Sequence, residues 1–504
     1  MKKLIANNIK TSNPTVWLVP TLILGGLLRI YHNIAVSLWH DEAFSALYIR
    51  YPWGEMMHRI GLDVHPPLYY WILRLWSYVF GSGLTSLRSM SILFGILTIY
   101  AGYLFVKEAF QNEKLAIVTS LFLAINPFQI QYSLEARMYT LGTFLILLSS
   151  FLLVKALRTN QTKIWIWYGI TVAACFYTHY YLFFSIAAQG LYFLYYLWEE
   201  KRLMLKGLGS YVLSLIIFAP WIPTLLVQIK RVEKAYWIPA PDRWSIPGTI
   251  WKMIFGGQGS DHITLIISTL AAIALLIYFF KETKPARPAS GSVADGPPIR
   301  WFIVLGVALP FVASLLLSFK QAIYLDRYFV FASLYFTILV AATLFLVPKY
   351  TTRRNLTALF AIVSIVIFFR NWSDLNIKNK PGMAAAAPMI NDNARATDKI
   401  YVGSSFVYFT FRYYNHTAIH PLLYSTGPLE TIPHFSGTAL LNNDDLILDF
   451  GQAKKNDTVW LLWTTGFGGS KPNVPGSWQK VQEKSFADAP DFKGEIFVTQ
   501  YHVN

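Results

Sequence analysis

Charge is scarce in this chain. Of 504 residues only 14% are Asp, Glu, Lys or Arg, where soluble domains carry about a quarter. With 54% hydrophobic residues, that shortage excludes a single soluble domain. Cysteine is nearly absent, and the lone Cys175 excludes an intramolecular disulfide and a cysteine-based zinc site. No internal repeat, heptad array, P-loop or dinucleotide fingerprint is present, which weakens a nucleotide-driven machine. Acidic residues are the rarer sign, leaving a net charge of +16. The basic residues nevertheless lie scattered between apolar runs and form no nucleic-acid motif, so nucleic acid is not an expected partner.

Long apolar runs are what the chain has instead. Residues 263–280, 301–319, 328–347 and 356–369 are free of charged side chains and suit a hydrocarbon core of about 30 Å. Spans are placed near 15–31, 86–106, 115–131, 136–154, 163–178, 180–198, 208–227, 262–280, 301–318, 328–347 and 355–370, about eleven in all. The first follows Lys2, Lys3 and Lys10 without a small-residue cleavage site, and reads as an uncleaved helix. With the N-terminus cytoplasmic, Lys and Arg crowd the inner loops, while the short outer loops hold only Arg137, Lys320 and Arg327. A plasma-membrane or inner-membrane protein follows.

The fold class expected is mainly α: a polytopic membrane protein of residues 1–370 with a small C-terminal α/β domain over 371–504. External loops cover 32–85 and 228–261. In the first, Pro66-Pro67 opens an interfacial helix through LYYWILRLWSYVF. The second is rich in Trp and Pro and suits the headgroup level. Residues 284–298 read as a flexible inner loop. In the C-terminal part, strands are expected at Ile400, Val459 and Glu495, with a helix over 383–396. By the span count this domain is extracytoplasmic.

Every candidate for chemistry falls on the outer side. WHDEAFS follows the first span, and its neighbours Asp41 and Glu42 diverge by about 100° on a helix, so only one of them faces a given cavity. One carboxylate suffices as a general base; the plainer reading is a pair of solvated acids. In GLDVHPPLYYW the proline holds His65 extended, so Asp63 and His65 project to one side. They offer ligands for a sugar hydroxyl or a divalent cation, or merely fix the loop, and no cofactor is demanded. SLEARMYTLG puts Glu135, Arg137 and Tyr139 at the outer start of the fourth span, with Glu135 and Tyr139 on one helix face and Arg137 on another. His179 in FYTHYYLFF is an aromatic-belt residue or a ligand. Arg327 and Tyr328 in YLDRYF, with Lys320 nearby, place cations where a lipid-carrier phosphate would lie.

The order WHDEAFS, DVHPPLYYW, LRSMSILFG, NPFQIQYSLEARMYTLG, YTHYY, DRYF resembles the GT-C superfamily of integral membrane glycosyltransferases. It is similar to the branch of protein O-mannosyltransferases, lipid A aminoarabinose transferases and Rgt-type lipopolysaccharide sugar transferases. The resemblance implies a polyprenyl-phosphate sugar donor, a glycan or lipid acceptor of the cell envelope, and inversion at the anomeric carbon. It carries the acidic first-loop position onto Asp41, beside Glu42, as base or acceptor-orienting group. Its later charged positions fall on Glu135 with Arg137, and on Arg327 with Tyr328. No loop has the length for the β-trefoil of eukaryotic protein O-mannosyltransferases, which tells against a protein acceptor, though an enzyme of that kind is one alternative. The other is a transporter or lipid flippase. Broken midplane helices and repeats mark transporters, and none is read here.

Overall fold

The computed structural model describes residues 14–31, 36–199, 201–235, 237–257, 261–283, 299–373, 381–488 and 494–504. The expected inner loop 284–298 and the basic start before Pro14 lie outside the described residues. The chain is mostly helical, and every stretch expected to span lies largely on helix. Among the described residues seven helices are long and apolar enough to cross a membrane, or eight if a bent pair is one span. Pro14–Ile30 and Leu182–Tyr196 are shorter apolar helices. The protein is an integral membrane protein, and seven to eight full-length crossings are what length and composition support.

Two spans sit in the middle of the bundle. The apolar stretches of Asp326–Leu346 and Tyr139–Thr159 are 83% and 78% buried, whereas those of Tyr350–Asn371 and His262–Glu282 are 11% and 17% buried and bare their side chains. An all-round apolar helix with buried sides is a core helix. Both central helices begin at the same end of the bundle, where Tyr139 and Arg327 lie.

The span expected over 115–131 is bent. Glu113–Ile125 and Pro127–Ser133 meet at 58°. Pro127 has no N–H for the Leu123 carbonyl, so the helix cannot continue through it. Arg29, fully buried, supplies the missing donors: Nη2 to Leu123 O at 3.1 Å, and Nη1 to Ala124 O at 2.8 Å. A cation there also meets the negative end of the helix dipole. Asn126 caps the next helix, its Oδ1 accepting from Gln129 N at 3.0 Å. That short helix ends at Ser133, and 134–138 form turns before Tyr139–Thr159 begins. Glu135 and Tyr139 therefore do not share one helix face.

The long loop after the first span folds into helices His40–Tyr48, Trp53–Leu62 and Leu68–Phe80. Leu68–Phe80 starts after Pro67 and exposes Leu75, Tyr78, Val79 and Phe80, as an interfacial helix does. Its Arg74 turns inward to the carbonyls of Ile49 and Tyr51.

The C-terminal part carries a six-stranded sheet in the order β3-β2-β1-β4-β6-β5. Its strands are β1 Lys399–Val402, β2 Leu422–Tyr424, β3 Leu446–Ile447, β4 Thr458–Thr464, β5 Trp478–Ala487 and β6 Glu495–Val503. β1 to β4 pair in parallel and the β5–β6 hairpin adds antiparallel. The continuous run VWLLW is the buried centre of β4, as a strand covered on both faces must be. The helix expected over 383–396 is Gly382–Asn391. It stops early because Asp398 accepts from Arg395 N at 3.1 Å and draws the following residues into a turn.

This sheet region is sutured to the first loop. Tyr414 Oη accepts from Leu38 N at 3.0 Å, and Arg59 donates to Ala439 O at 3.1 Å and Asn442 Oδ1 at 3.0 Å. Phe44 and Phe409 pack at 4.7 Å between ring centres. Gly437, at φ +92, lies against both rings, and a Cβ there would collide with them. Loop helices, spans and sheet region share one hydrophobic core.

Candidate active site

A cavity of about 350 Å³ opens where the first loop, the N-terminal ends of the central helices and the C-terminal sheet region meet. Asp41, Asp63, His65, Arg137, Tyr139, Arg327 and Tyr328 all line it, although they come from three distant parts of the chain. Glu42, Glu135, His179 and Lys320 do not line it.

Asp41 and Glu42 begin the same helix and part company at once. The Asp41 carboxylate faces the cavity, with Oδ2 at 3.2 Å from Arg327 Nη1. Glu42 turns into the protein and is fully buried. It takes a two-pronged bond from Arg88, Nε to Oε1 at 2.8 Å and Nη2 to Oε2 at 2.6 Å. Oε1 also accepts from Ala136 N at 2.8 Å. Glu42 thus ties the loop helix to the Leu84–Phe110 span and to the turn that carries Arg137. Of the two neighbours only Asp41 faces the cavity, because adjacent helical residues diverge, and Glu42 is a buried clamp.

Arg137 crosses from that turn to the loop. Its Nη1 donates to Asp41 O at 3.1 Å and its Nη2 to His65 Nε2 at 3.3 Å, while its Nε makes no hydrogen bond among the described residues. Because a guanidinium only donates, His65 Nε2 accepts and Nδ1 carries the proton toward Asp63 Oδ2, 3.1 Å away. The expected Asp63–His65 pairing is therefore present. A cation at His65 would have to displace the guanidinium, and no group of three or more His, Cys, Asp or Glu among the described residues could hold a metal ion.

Arg327 sits over Trp39 at 5.2 Å and Trp237 at 5.8 Å from the ring centres. Its neighbour Asp326 is anchored by buried Lys252 at 3.0 Å, which fixes the turn. Lys320 is remote from this: its ammonium is exposed and pairs with Glu233 at 3.2 Å. Buried His179 lies behind the cavity, 4.9 Å from Tyr328 and 6.2 Å from His65 between ring centres, its Nδ1 accepting from Tyr181 N at 3.1 Å. It packs the wall rather than facing the cavity.

Burial pushes the Asp41 carboxyl up, but Arg137, Arg327, His40 and His65 outweigh it and hold the group below its ordinary value. Asp63 is likewise raised by burial and brought below its ordinary value by His65 and Arg137. Burial lowers His40, with Asp41 only partly opposing. The cavity therefore keeps two ionised carboxylates among cations and a neutral imidazole.

Sequence reasoning missed the rest of the lining. Trp39 and His40 stood inside WHDEAFS, and Trp237 inside the aromatic second loop. Phe406, His434, Phe435 and Phe467 come from the C-terminal region, where no motif drew attention.

Residues 64–226 match the family of dolichyl-phosphate-mannose-protein mannosyltransferases. No curated protein matches the sequence. In fold, the chain is similar to ArnT from Cupriavidus metallidurans bound to undecaprenyl phosphate, with TM-score 0.58, 14% identity, and 96% of this chain and 98% of that one covered. The apo ArnT structure aligns at TM-score 0.47 and 14% identity, covering 97% and 98%. AglB from Archaeoglobus fulgidus, in complex with an inhibitory peptide and a dolichol-phosphate, aligns at TM-score 0.47 and 13% identity, covering 88% and 69%. In fold along nearly its whole length, and in sequence over residues 64–226, the chain is similar to the GT-C superfamily of integral membrane glycosyltransferases.

Proposed function

We propose that this protein moves a monosaccharide from a polyprenyl-phosphate donor to a glycan or lipid acceptor of the cell envelope, with inversion. The observation that carries it is the Asp41 carboxylate held at 3.2 Å from Arg327 in a cavity at one end of the apolar bundle. The donor phosphate takes Arg327, with the positive charge of Arg137 beside it. Opposite charges 4 Å apart attract by about 4 kcal/mol at an effective dielectric near 20, so the phosphate competes with Asp41 for the guanidinium and frees the carboxylate. Asp41 then accepts the proton of the acceptor hydroxyl as its oxygen bonds to the anomeric carbon. The bond from that carbon to the phosphate oxygen breaks, and its electron pair leaves with the lipid phosphate. Phosphate is a competent leaving group, so one carboxylate serves where hydrolases use two. His65 and Asp63 hold Arg137 in place, and Tyr139 and Tyr328 wall the sugar pocket.

The reading places the cavity and residues 371–504 outside the cytoplasm and the N-terminus inside. In a protein with Cys175 replaced, an impermeant thiol reagent on intact cells labels Ser82→Cys and Ser470→Cys but not Thr352→Cys; the reverse pattern sinks the orientation. For the chemistry, reconstituted protein is offered radiolabelled undecaprenyl-phosphate hexoses and pentoses against nucleotide sugars, with cell-envelope extract as acceptor. Transfer from the lipid donors alone supports the reading, and a preference for nucleotide sugars overturns it.

A further inference from the structure

Two sets of residues line the cavity, and they differ in origin and chemistry. The first loop and the central helices supply Asp41, Asp63, His65, Arg137 and Arg327, while the C-terminal region supplies Phe406, His434, Phe435 and Phe467. Neighbouring groups cross the cavity in order, by contact except at the chain step from Asp41 to His40. Trp237 lies under Arg327 at 5.8 Å, and Arg327 pairs with Asp41 at 3.2 Å. The next residue, His40, packs on Phe406 at 5.0 Å, and Phe406 stacks on Phe467 at 4.2 Å and 13°. Phe467 is 49% exposed and stands in the Gly466–Gly468 turn at φ 55, ψ 32. A bulky residue rarely takes this left-handed backbone. Such strain persists only where surrounding structure imposes it, and it gathers at ligand sites.

We propose that the Phe406–Phe467 pair is a subsite for a sugar ring of the acceptor. This rests on the transfer reading above. Inversion brings the nucleophile in opposite the leaving phosphate. With the phosphate at Arg327 and the base Asp41 next in line, the acceptor arrives from the side of His40, Phe406 and Phe467. A flat aromatic face takes the C–H face of a pyranose and leaves its hydroxyls to His434 and Asp63. An acyl chain would need a continuous apolar wall, which those two residues interrupt.

Saturation-transfer NMR on the protein in nanodiscs tests this, with methyl α-D-mannopyranoside and methyl β-D-glucopyranoside as sugar probes and n-octyl phosphate as the phosphate probe. Phe467→Ala weakens pyranoside binding about tenfold, the loss expected when one aromatic face is removed. Phe467→Trp and Trp237→Ala retain it, and octyl phosphate binding in Phe467→Ala is unchanged. Pyranoside contact that survives Phe467→Ala, that vanishes in Trp237→Ala instead, or that is absent from the wild type overturns the subsite. If octyl phosphate ignores Arg327→Ala while the sugar signal still depends on Phe467, the donor assignment falls, and the acceptor role with it, and a sugar subsite remains.

Discussion

The floor of the cavity holds its charges in place with other buried charges, whereas the roof holds aromatic rings with rings and a glycine. Behind the floor, Glu42 is locked by Arg88 and Asp326 by Lys252, and on the floor Asp41 is flanked by Arg137 and Arg327. On the roof, Phe406 stacks on Phe467, and Phe409 meets Phe44 beside Gly437. Removing a fully buried charge strands its partner, so a change at Glu42 acts steeply on stability, whereas Asp41 and Arg327 are partly open and leave no charge sealed in. Removing one ring from a stack loses a contact and leaves nothing unpaired, so roof substitutions act by degrees.

The steepest effect expected is at Asp41. If it is the base, Asp41→Asn lowers turnover by about 10²- to 10⁴-fold while thermal stability in detergent stays near wild type. Equal loss of turnover and stability would erase the difference between Asp41 and its neighbour. Glu42→Gln does the opposite. It leaves Arg88 buried without its counter-charge, a loss of about 3 to 5 kcal/mol, read as a lower unfolding temperature in whatever fraction inserts. Normal stability in Glu42→Gln would show that the clamp is not structural.

Arg327→Ala comes next and has two signatures. The apparent donor KM rises, and the pH profile moves. Asp41 lies below its ordinary value partly because of Arg327, and a base works only when ionised, so activity falls as pH drops through its pKa. Without Arg327 that pKa rises, and the acidic limb shifts to higher pH. An acidic limb that stays put, or moves lower, breaks the link between the two residues. On the roof, Gly437→Ala forces a side chain into the rings of Phe44 and Phe409 at a positive φ. The C-terminal region then becomes more sensitive to limited proteolysis while the membrane helices stay intact. The smallest effect belongs to Lys320→Ala. Its exposed pair with Glu233 is worth about 0 to 1 kcal/mol, so donor KM should not change, and a rise would return Lys320 to the phosphate site.

The same division governs what could be read from the sequence. Floor residues sit in short motifs rich in charge and proline against an apolar background, so Asp41, His65, Arg137 and Arg327 stood out. Their partners did not. Arg88 was one basic residue in LRSMSILFG, and which of Asp41 and Glu42 faced inward depended on helix phase. The broken span had a signal that went unused, the Asn126-Pro127 step, since that dipeptide favours a turn. The roof was nearly silent. Phe406 begins a helix, and Phe435 and Phe467 occupy short 3-10 turns without periodicity, so nothing local marks them as cavity residues. β5 was missed because it is an edge strand of mostly exposed polar residues, the pattern that protects edges and hides them.

The central claim is that the floor binds a lipid phosphate through Arg327. The most direct measurement is mass spectrometry of lipids retained on purified protein, wild type against Arg327→Ala at matched folding. The wild type is expected to carry a polyprenyl phosphate that is depleted in the variant. Equal retention in both, or no polyprenyl phosphate on either after incubation with undecaprenyl phosphate, would contradict it.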